Sequence, residues 1–453
     1  MKKYTGFSAR ASLAVVGLWM DQQGLWAKVE EQVKIEQKTI RHRPLDKVKD
    51  AFINILAGGQ GLVEVNTLVR TDPVLQKAFG RQGCAEQSTV SETLNACTGK
   101  TVAQMAEALK QIYQNYSQGY RHDYAKAMQV LDVDMTGLVC GAQAEGATKG
   151  YFPGRKNRRG RQLGRVSATR YDELVFEKLY PGAIQLEKSF PELVENAEQV
   201  LGLDEPRRQR TMVRIDGGGG TDANINWAVG RGYWLIGKVK NWQRTRKLAQ
   251  TVETWTALPQ LAEHEVGWVG TPHAYEKPMR QLALRWPKPK GGWHYRILVF
   301  NLTDEMLFNL AGRALPARLT PPELFAAIVE AYDLRAGGIE TTLKNSKQGL
   351  GLNKRNKKSF AAQEMLILLA QLAYNLIRWV RQQLAQHQPE FAHFGMLRMT
   401  RDVFQIPGKI QFDPQGKAFK VALSKSHTLA EPFYQTCQSQ FAFNGLRLIL
   451  GKI

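Results

Sequence analysis

The stretch LDVDMTGL, residues 131–138, restricts the fold more than any other part of the sequence. In an extended strand the side chains alternate between two faces, so Asp132, Asp134 and Thr136 share one face and apolar residues share the other. Two carboxylates in an otherwise apolar strand cost free energy unless they are ion-paired or bind a metal ion. The stretch therefore predicts a β-strand with a functional acid, Asp134 or its neighbour Asp132. An edge strand with a solvated face is the alternative.

A second acid, Asp216, ends the apolar run VRID and is followed by four glycines. A Walker-type phosphate loop needs Lys followed by Ser or Thr after its last glycine, and GGGGTD lacks that pair. The dinucleotide fingerprint also fails, because Asp222 occupies the position of its third glycine. Glycines leave room for a substrate backbone to approach, so we interpret Asp216 as a metal ligand, with Asp222 able to exchange roles with it. A flexible turn with a capping acid is the alternative.

The order of predicted elements indicates an α/β protein with added segments. Three strands, a helix and a fourth strand that ends in Asp216 are typical of an α/β nuclease-type core. The N-terminal part looks all-helical, and residues 72–96 predict two short helices around a glycine turn, which is either a DNA-reading helix-turn-helix or a plain corner of a bundle. The predicted divisions are a helical N-terminal DNA-binding domain (1–125), the first part of the core (126–240), a β-rich insertion (241–320), the second part of the core (321–387) and a C-terminal basic region (388–453).

The charge balance indicates a polyanionic partner. The 453 residues include 62 Lys plus Arg against 41 Asp plus Glu, which gives a net charge of +21. An excess of this size, spread through folded-looking sequence, points first to nucleic acid and second to a membrane surface. The start lacks a signal peptide and the four cysteines form no CxxC pair, so we expect a cytoplasmic location. The apolar residues 365–380 include three polar side chains and predict a core helix rather than a membrane span.

A third candidate acid lies in AYDLRAGGIETTLKNSK, residues 331–347. A helix that begins after Gly338 would put Glu340, Lys344 and Lys347 on one face, with two cations beside a carboxylate. An exposed helix with an ordinary salt-bridging pair is the alternative.

Taken in order, LDVDMT, RIDGGGG and YDLRAGGIETTLKNSK, with a β-rich segment between the second and third, resemble the DDE transposases of bacterial insertion sequences. The resemblance covers the chain from about residue 45 to about residue 450. It implies an RNase H-like mixed sheet flanked by helices and interrupted by an all-β insertion. The first acid of that family lies in a D-x-T context, which Asp134 matches, and the second, which Asp216 matches, follows the fourth strand.

The family signature is Tyr, two residues, Arg, three residues, Glu, six residues, Lys. Its positions here are Tyr332, Arg335, Glu340 and Lys347. One departure is present, because four residues rather than three separate Arg335 from Glu340.

The resemblance implies a metal-dependent reaction on DNA. Phosphodiester bonds at the element ends are cut, and the freed 3′-hydroxyls attack target DNA. Asp134, Asp216 and Glu340 would be the catalytic acids and hold two Mg²⁺ ions, with Mn²⁺ as a substitute. The implied partners are terminal inverted repeats and target DNA, bound by a homodimer in the bacterial nucleoid. The predicted DNA contacts near the site are Tyr332, Arg335, Lys344 and Lys347.

Two basic segments predict further contacts with the DNA backbone. Residues 149–170 contain eight Lys or Arg and no acid, and a solvated hairpin is the alternative interpretation. The cations assigned to a DNA track are Arg155, Lys156, Arg158, Arg159 and Arg161. A second patch in LGLNKRNKKSF consists of Lys354, Arg355, Lys357 and Lys358.

Trp286 and Trp293 flank the turn KPKGG in the predicted insertion. Members of this broad group can form a DNA hairpin at the element end, with a base flipped onto an aromatic side chain of the insertion. Either tryptophan is a candidate, and cross-strand packing is the alternative.

Two other functions remain open at this point. A catalytically inactive or domesticated DNA-binding protein would keep the basic surfaces without the chemistry. A stand-alone metal-dependent nuclease would cut nucleic acid without joining ends.

Overall fold

The computed structural model describes residues 4–155, 157–441, 443 and 445–452. Its α-helices, in chain order, are α1 (Ala11–Gln22), α2 (Ala27–Gln32), α3 (Pro44–Leu56), α4 (Pro73–Ala78), α5 (Gln87–Asn95), α6 (Gly99–Tyr116), α7 (Leu186–Leu201), α8 (Glu205–Arg208), α9 (Asp222–Gly230), α10 (Trp242–Ala249), α11 (Asp304–Leu310), α12 (Pro321–Arg335), α13 (Thr341–Gly349), α14 (Phe360–His387), α15 (Met396–Arg401) and α16 (Ala430–Gln440). Its β-strands are β1 (Tyr4–Ser8), β2 (Gln129–Val139), β3 (Thr148–Lys149), β4 (Arg159–Ala168), β5 (Glu173–Pro181), β6 (Thr211–Ile215), β7 (Trp234–Lys238), β8 (Thr256–Ala257), β9 (Glu265–Trp268), β10 (Arg280–Pro287), β11 (Trp293–Phe300), β12 (Gly408–Phe412), β13 (Ala418–Ser424) and β14 (Arg447–Gly451).

The chain divides into two compact units. The first contains residues 1–117, 139–147 and 343–453. Helix α14 is its central element and packs against α3, α5, α6 and α16. Within the described chain, α14 is the one helix whose length and apolar composition would suffice to cross a membrane, but 83% of its most apolar window is buried inside the protein. The prediction of a core helix at residues 365–380 is therefore confirmed.

A four-stranded sheet in the first unit joins both ends of the chain, in the order β1-β12-β13-β14. β1 and β12 are antiparallel, as are β12 and β13, whereas β14 is parallel to β13. The prediction that the N-terminal part is all-helical is wrong at β1. The physical reason is that the partner of β1 lies some 400 residues further along the chain, where local helical spacing gives no hint of it.

The second unit contains residues 118–138 and 148–342 and is built on one mixed sheet. Its order, among the residues described, is β3-β4-β2-β6-β7-β11-β10-β9-β8, with β5 also paired to β4. β2, β6 and β7 run parallel, and β11 joins β7 in antiparallel register. The strands of the predicted insertion therefore continue the same sheet. The parallel strands end at one edge, which brings the residues after β6 and β7 close together.

Helices cover this sheet because its strands carry apolar residues on both faces. Helix α7 packs on β4 and β5 and also contacts α9. Helices α11 and α12 contribute Leu307, Phe325 and Ile328 to a core that also contains Ile236 and Phe300.

Most predicted elements of the second unit are present, including β2, the helix at residues 186–201 and the hairpin of β10 and β11. The stretch KIQFDPQGKAFKVAL, residues 409–423, also predicts a hairpin, which is confirmed as β12 and β13. The second of the three predicted strands, expected at GYF (residues 150–152), is instead the short strand β3 at Thr148–Lys149. The two short helices at residues 72–96 exist as α4 and α5, and their DNA-reading role stays a prediction. The five predicted domain boundaries stay predictions as well.

Candidate active site

The strand β2 carries both Asp132 and Asp134, and their surroundings differ. Asp132 is fully buried and accepts hydrogen bonds from Arg214 at 2.6 and 2.9 Å and from the Thr169 hydroxyl at 2.5 Å. The Arg214 guanidinium also donates to the carbonyl of Ala331 at 3.0 Å. The carboxylate of Asp132 is thus neutralised and bonded within the core. Asp134 therefore remains the candidate acid of this strand.

The edge-strand alternative for β2 is wrong, since β4 and β6 flank it on its two sides. An acid on a central strand cannot reach solvent along the strand edge. The free-energy cost of burying such an acid must be offset by nearby partners, and Arg214 is that partner for Asp132.

Asp216 directly follows β6 and begins a tight turn. The backbone N–H groups of Gly218 and Gly219 donate to its Oδ1 at 2.8 and 3.3 Å. Gly220 packs directly on the next strand, because a Cβ there would lie 1.8 Å from the carbonyl oxygen of Lys238. The glycine run thus allows a close backbone approach, and the aspartate also caps its own turn as the alternative interpretation held.

Asp222 is the first residue of α9 and is already paired. Its carboxylate binds Arg244, and Nε2 of His273 lies 3.1 Å from Oδ2. Burial alone would raise the pKa of Asp222, but the hydrogen bonds and charges of Arg244 and His273 together outweigh it and lower the pKa. These bonds make Asp222 a structural acid, so we retain Asp216 as the candidate.

The extra residue between Arg335 and Glu340 is accommodated by a π turn. Helix α12 ends at Arg335, residues 336–340 form a π-helical turn, and α13 follows. The backbone leaves helical geometry at Gly338, where ψ is −107°. The helix predicted to begin after Gly338 is thus set off by a kink in the backbone at that residue. No loop separates it from α12, because the π turn joins α12 to α13. A π turn carries five residues where an α-turn carries four, so Arg335 still faces Glu340, with Nη1 and Oε1 3.1 Å apart.

Arg335 links two of the three candidate acids. Its Nη2 lies 2.8 Å from Oδ2 of Asp134 in an ion pair that lacks hydrogen-bond alignment, and its Nη1 donates to Glu340. The guanidinium is only 4% exposed, and its Nε is buried without a hydrogen-bond partner. Burial would lower the pKa of Arg335, but the negative charges of Asp134 and Asp216 raise it. The arginine therefore stays charged at the centre of the acidic residues.

Asp134 lies within electrostatic reach of Asp216. Burial raises the pKa of Asp134 to about 6, with the charge of Asp216 acting in the same direction and Arg335 against it. Three carboxylates are oxygen donors of the type that Mg²⁺ and Mn²⁺ prefer, so the donor set fits a divalent ion. Among the described residues no three such side chains are already grouped tightly enough to hold a metal, and Arg335 supplies the positive charge instead.

Two cations of this site were missed from the sequence. Lys238 ends β7 beside Asp216, because Ile215 pairs with Gly237 in the parallel register. Burial lowers the pKa of Lys238, and the nearby Arg296 lowers it further. Arg296 on β11 lies 5.9 Å from the ring of Tyr332. The signal available was that parallel strands end together, which places the end of β7 next to Asp216.

Tyr332 is 7% exposed, and burial raises its pKa to about 12. Its hydroxyl therefore stays protonated, while the charge of Asp216 acts on it from nearby. Lys344 is exposed and Lys347 is half-buried on α13.

The predicted basic track is exposed only in part. Arg155 and Arg158 are exposed in the segment between β3 and β4, Arg159 is exposed as the first residue of β4, and Lys156 lies outside the described residues. Arg161 is fully buried in β4, so its assignment to a DNA-facing track is corrected. β4 is paired on both sides, and the charge count of the segment could not indicate which cations face inward.

The second basic patch needs the same correction at one position. Arg355 is buried and donates to the carbonyls of Leu350 at 2.7 Å and Gly59 at 2.6 Å. Burial lowers its pKa to about 10. Lys354 and Lys358 are exposed, and Lys357 is half-buried.

The two candidate tryptophans differ in their packing. Trp286 is stacked between His264 and His294, with ring centroids 5.1 and 5.3 Å apart, as a packing role would require. Trp293 lies 4.4 Å from the guanidinium of Arg285 and lines two open cavities of about 450 and 400 Å³. Trp293 is therefore the more available of the two rings.

A family model described as transposase DDE domain group 1 matches residues 7–441. Among solved structures, the chain is similar to the "Cryo-EM structure of piggyBac transposase synaptic complex with hairpin DNA (SNHP)", with a TM-score of 0.47 and 10% sequence identity. That alignment covers 88% of this chain and 82% of the other. A comparison with curated protein sequences gives no match.

Proposed function

Because this chain belongs to the DDE transposases of domain group 1, we propose that it is an insertion-sequence transposase. It binds the inverted repeats at the element ends, cuts phosphodiester bonds there and joins the 3′-OH ends to target DNA. That the chain is a transposase follows from its family, whose members use divalent metal ions.

One observation carries the finer proposal. Asp134, Asp216 and Glu340 come from three distant parts of the sequence, and the buried Arg335 contacts or electrostatically couples to all three. Burial and the charge of Asp216 both act against the ionised form of Asp134, a cost that a core without such a function would be expected to avoid. Strand order supports it further, since β5-β4-β2-β6-β7 is the order expected of an RNase H-like core.

In the proposed site, Asp134, Asp216 and Glu340 hold the divalent ions. Bound there, the ions would activate water or the 3′-hydroxyl and neutralise charge on the scissile phosphate. Lys238 and Tyr332 flank Asp216, and their positive charge and protonated hydroxyl suit contacts with phosphate oxygens. Helix α13 carries two further cations, the exposed Lys344 and the half-buried Lys347, which would contact the DNA backbone.

The outlying cations would position DNA rather than react with it. Arg155, Arg158 and Arg159 are exposed before and at the start of β4, as a backbone contact requires. For a flipped base we favour Trp293, because Trp286 is already stacked between two histidines. Cleavage that is unchanged in both Trp286→Ala and Trp293→Ala would remove base flipping from the proposal.

The decisive experiment compares the parent with Asp216→Asn on duplex DNA that carries the element end. With Mg²⁺ or Mn²⁺, the parent should cut the DNA and join the 3′-OH end to a second duplex, whereas the variant should bind but not cut. Asp222→Asn is the matched control, because that acid is paired with Arg244, and it should still cut. Equal cutting by Asp216→Asn would remove this residue from the site.

The same assay separates the alternatives. Cutting without end joining would favour a stand-alone nuclease, and binding without cutting by the parent would favour an inactive DNA-binding protein. We further propose that a homodimer holds two ends together. An active complex whose measured mass corresponds to a single protomer would contradict that arrangement.

A further inference from the structure

The four-stranded sheet of the first unit packs one of its faces on helices α1 and α4. A Cβ added at Gly6 or Gly408 would meet Val74 of α4 or Ala11 of α1 within 2.6 Å, so these positions face the helices. Side chains one residue away point to the opposite side. We call that side the outer face, and it consists of Thr5, Phe7, Lys409, Gln411, Lys420, Ala422, Arg447 and Ile449.

The register arranges the outer face in two rows across the strands. One row is polar and basic and runs Thr5, Gln411, Lys420, Arg447. The other is largely apolar and runs Phe7, Lys409, Ala422, Ile449. Two residues along a strand separate the rows, a spacing of about 7 Å.

The charge of the outer face is of one sign. It has three cations and no acid, and Lys409 and Arg447 are exposed. The acid of the adjoining turn, Asp413, accepts a hydrogen bond from the backbone N–H of Lys417 at 2.8 Å. The face therefore complements a polyanion, in a chain whose net charge is +21.

The exposed ring of Phe7 indicates which kind of polyanion the outer face would bind. Phe7 is 56% exposed and lies directly opposite Lys409, with the half-buried Ala422 and Ile449 further along the same row. The other aromatic residue of β1 is Tyr4. Its ring packs on the ring of Phe412 and lies under the ammonium group of Lys77, so this ring is already engaged within the protein. A duplex hides its bases from a flat surface, whereas an unpaired strand can stack a base on an exposed ring and place phosphates on nearby cations.

From this juxtaposition we propose that the outer face binds an unpaired segment of a DNA strand. A base stacks on Phe7 while phosphates contact Lys409, Lys420 and Arg447. The inference rests on the proposed function, because the unpaired strand would be part of the DNA substrate. That strand would bind at a surface other than the site of the three carboxylates.

The test measures binding of a fluorescent 15-nucleotide oligothymidylate and of a mixed-sequence 15-base-pair duplex by anisotropy. Phe7→Ala should weaken oligothymidylate binding about tenfold, as loss of one stacked base does, and change duplex binding less than twofold. Phe7→Tyr should retain binding because it keeps an aromatic ring. Ile40→Ala, at an apolar position that is 89% exposed in the same unit, is the matched control and should have no effect.

A charge test complements the aromatic one. Replacing Lys409, Lys420 and Arg447 together by Gln should reduce the slope of log affinity against log salt for the oligothymidylate by about 2, at about 0.7 per cation for single strands. The control triple replaces Lys34, Lys38 and Lys100 by Gln, which are exposed cations in the same unit but off the sheet.

Equal effects of Phe7→Ala on duplex and single strand, no effect on either, or equal slopes in both triples would each overturn the inference. The proposed function would survive such results if the parent still cuts and Asp216→Asn does not. Asp216→Asn itself should keep the binding that depends on Phe7.

Discussion

At the scale of single residues, Arg335 determines how the candidate acids are held. It lies 2.8 Å from Asp134 and 3.1 Å from Glu340, two of the acids that would hold a metal ion in the proposed site. A guanidinium and a divalent cation at the same carboxylates repel each other strongly where water is excluded. We therefore expect Arg335 to stabilise the protein without metal and to compete with metal binding at the proposed acids.

This competition gives a prediction with a definite sign for Arg335→Gln. Without metal the variant should be less stable by about 3–5 kcal/mol, because Asp134 loses its buried counter-ion. Its affinity for Mn²⁺ should rise at least about tenfold, since a competing charge is gone. Calorimetric Mn²⁺ titration measures the affinity, and the rise of melting temperature with Mn²⁺ gives an independent reading. Arg231→Gln, which breaks the remote pair with Glu198, is the control. Weaker Mn²⁺ binding in Arg335→Gln would show that the arginine positions the acids rather than competes.

Asp222 provides a prediction for acidic pH. Its folded pKa is lowered because Arg244 and His273 outweigh burial, while in the unfolded chain the value is near 3.9. As pH falls through this range, the unfolded chain takes up the proton first, so the stability that Asp222 contributes is present above about pH 4 and lost below it. Asp222→Asn should therefore melt at a lower temperature than the parent at pH 7, and the two melting temperatures should converge towards pH 3. A gap that persists unchanged at pH 3 would contradict this assignment.

At the scale of elements, the π turn at residues 336–340 shows what the extra residue does. A Cβ at Gly338 would lie 2.5 Å from Cγ2 of Thr169 and 2.6 Å from Oδ2 of Asp132, whereas a Cβ at Gly337 would meet nothing within 4 Å. Only the second of the two glycines is therefore required for the turn to pack on β2.

The adjacent glycines make a matched pair of variants. Gly338→Ala should lower the free energy of unfolding by about 1–3 kcal/mol, because the methyl group overpacks against Asp132 and its bonds to Arg214. Gly337→Ala should be neutral or stabilising by up to about 1 kcal/mol, since alanine favours helical backbone. Urea unfolding of both variants measures the difference. Equal effects at the two positions would mean that the π turn is not packed as described.

How far the sequence predicts these elements depends on how local their causes are. The alternation in LDVDMTGL and the apolar run before Asp216 were enough to predict β2 and β6, because strand periodicity is a local property. Strand alternation alone did not separate Asp132 from Asp134, since their difference depends on Arg214, which lies 82 residues away in the chain; only the D-x-T context of the family resemblance favoured Asp134. The same holds for β1, whose partner strand comes near the end of the sequence.

The candidate site was likewise predictable only in part. Asp134, Asp216 and Glu340 were proposed from their sequence context, but Lys238 required the strand order that only the fold provides. Arg161 and Arg355 were assigned to DNA contacts by charge alone, and both are buried. A count of cations cannot separate those that face solvent from those that neutralise or hydrogen-bond the interior.

At the scale of the whole molecule, the charge of +21 sets the conditions under which any DNA contact can be measured. Each phosphate neutralised by a cation releases counterions, so affinity for duplex DNA should fall steeply as salt rises. The exposed cations Arg155, Arg158 and Arg159 are the group we expect to contribute most per residue, because they lie together in one segment without an acid among them.

Replacing these three arginines by Gln should therefore reduce the slope of log affinity against log salt for duplex DNA by about 2.7, at about 0.9 per phosphate contact. Replacing Lys34, Lys38 and Lys100 instead removes the same formal charge from elsewhere on the surface. If net charge alone governed binding, the two triple variants would have equal slopes. A larger change for the arginine triple would identify residues 155–159 as a backbone contact, and a salt response that is nearly flat in the parent would exclude DNA binding through this surface.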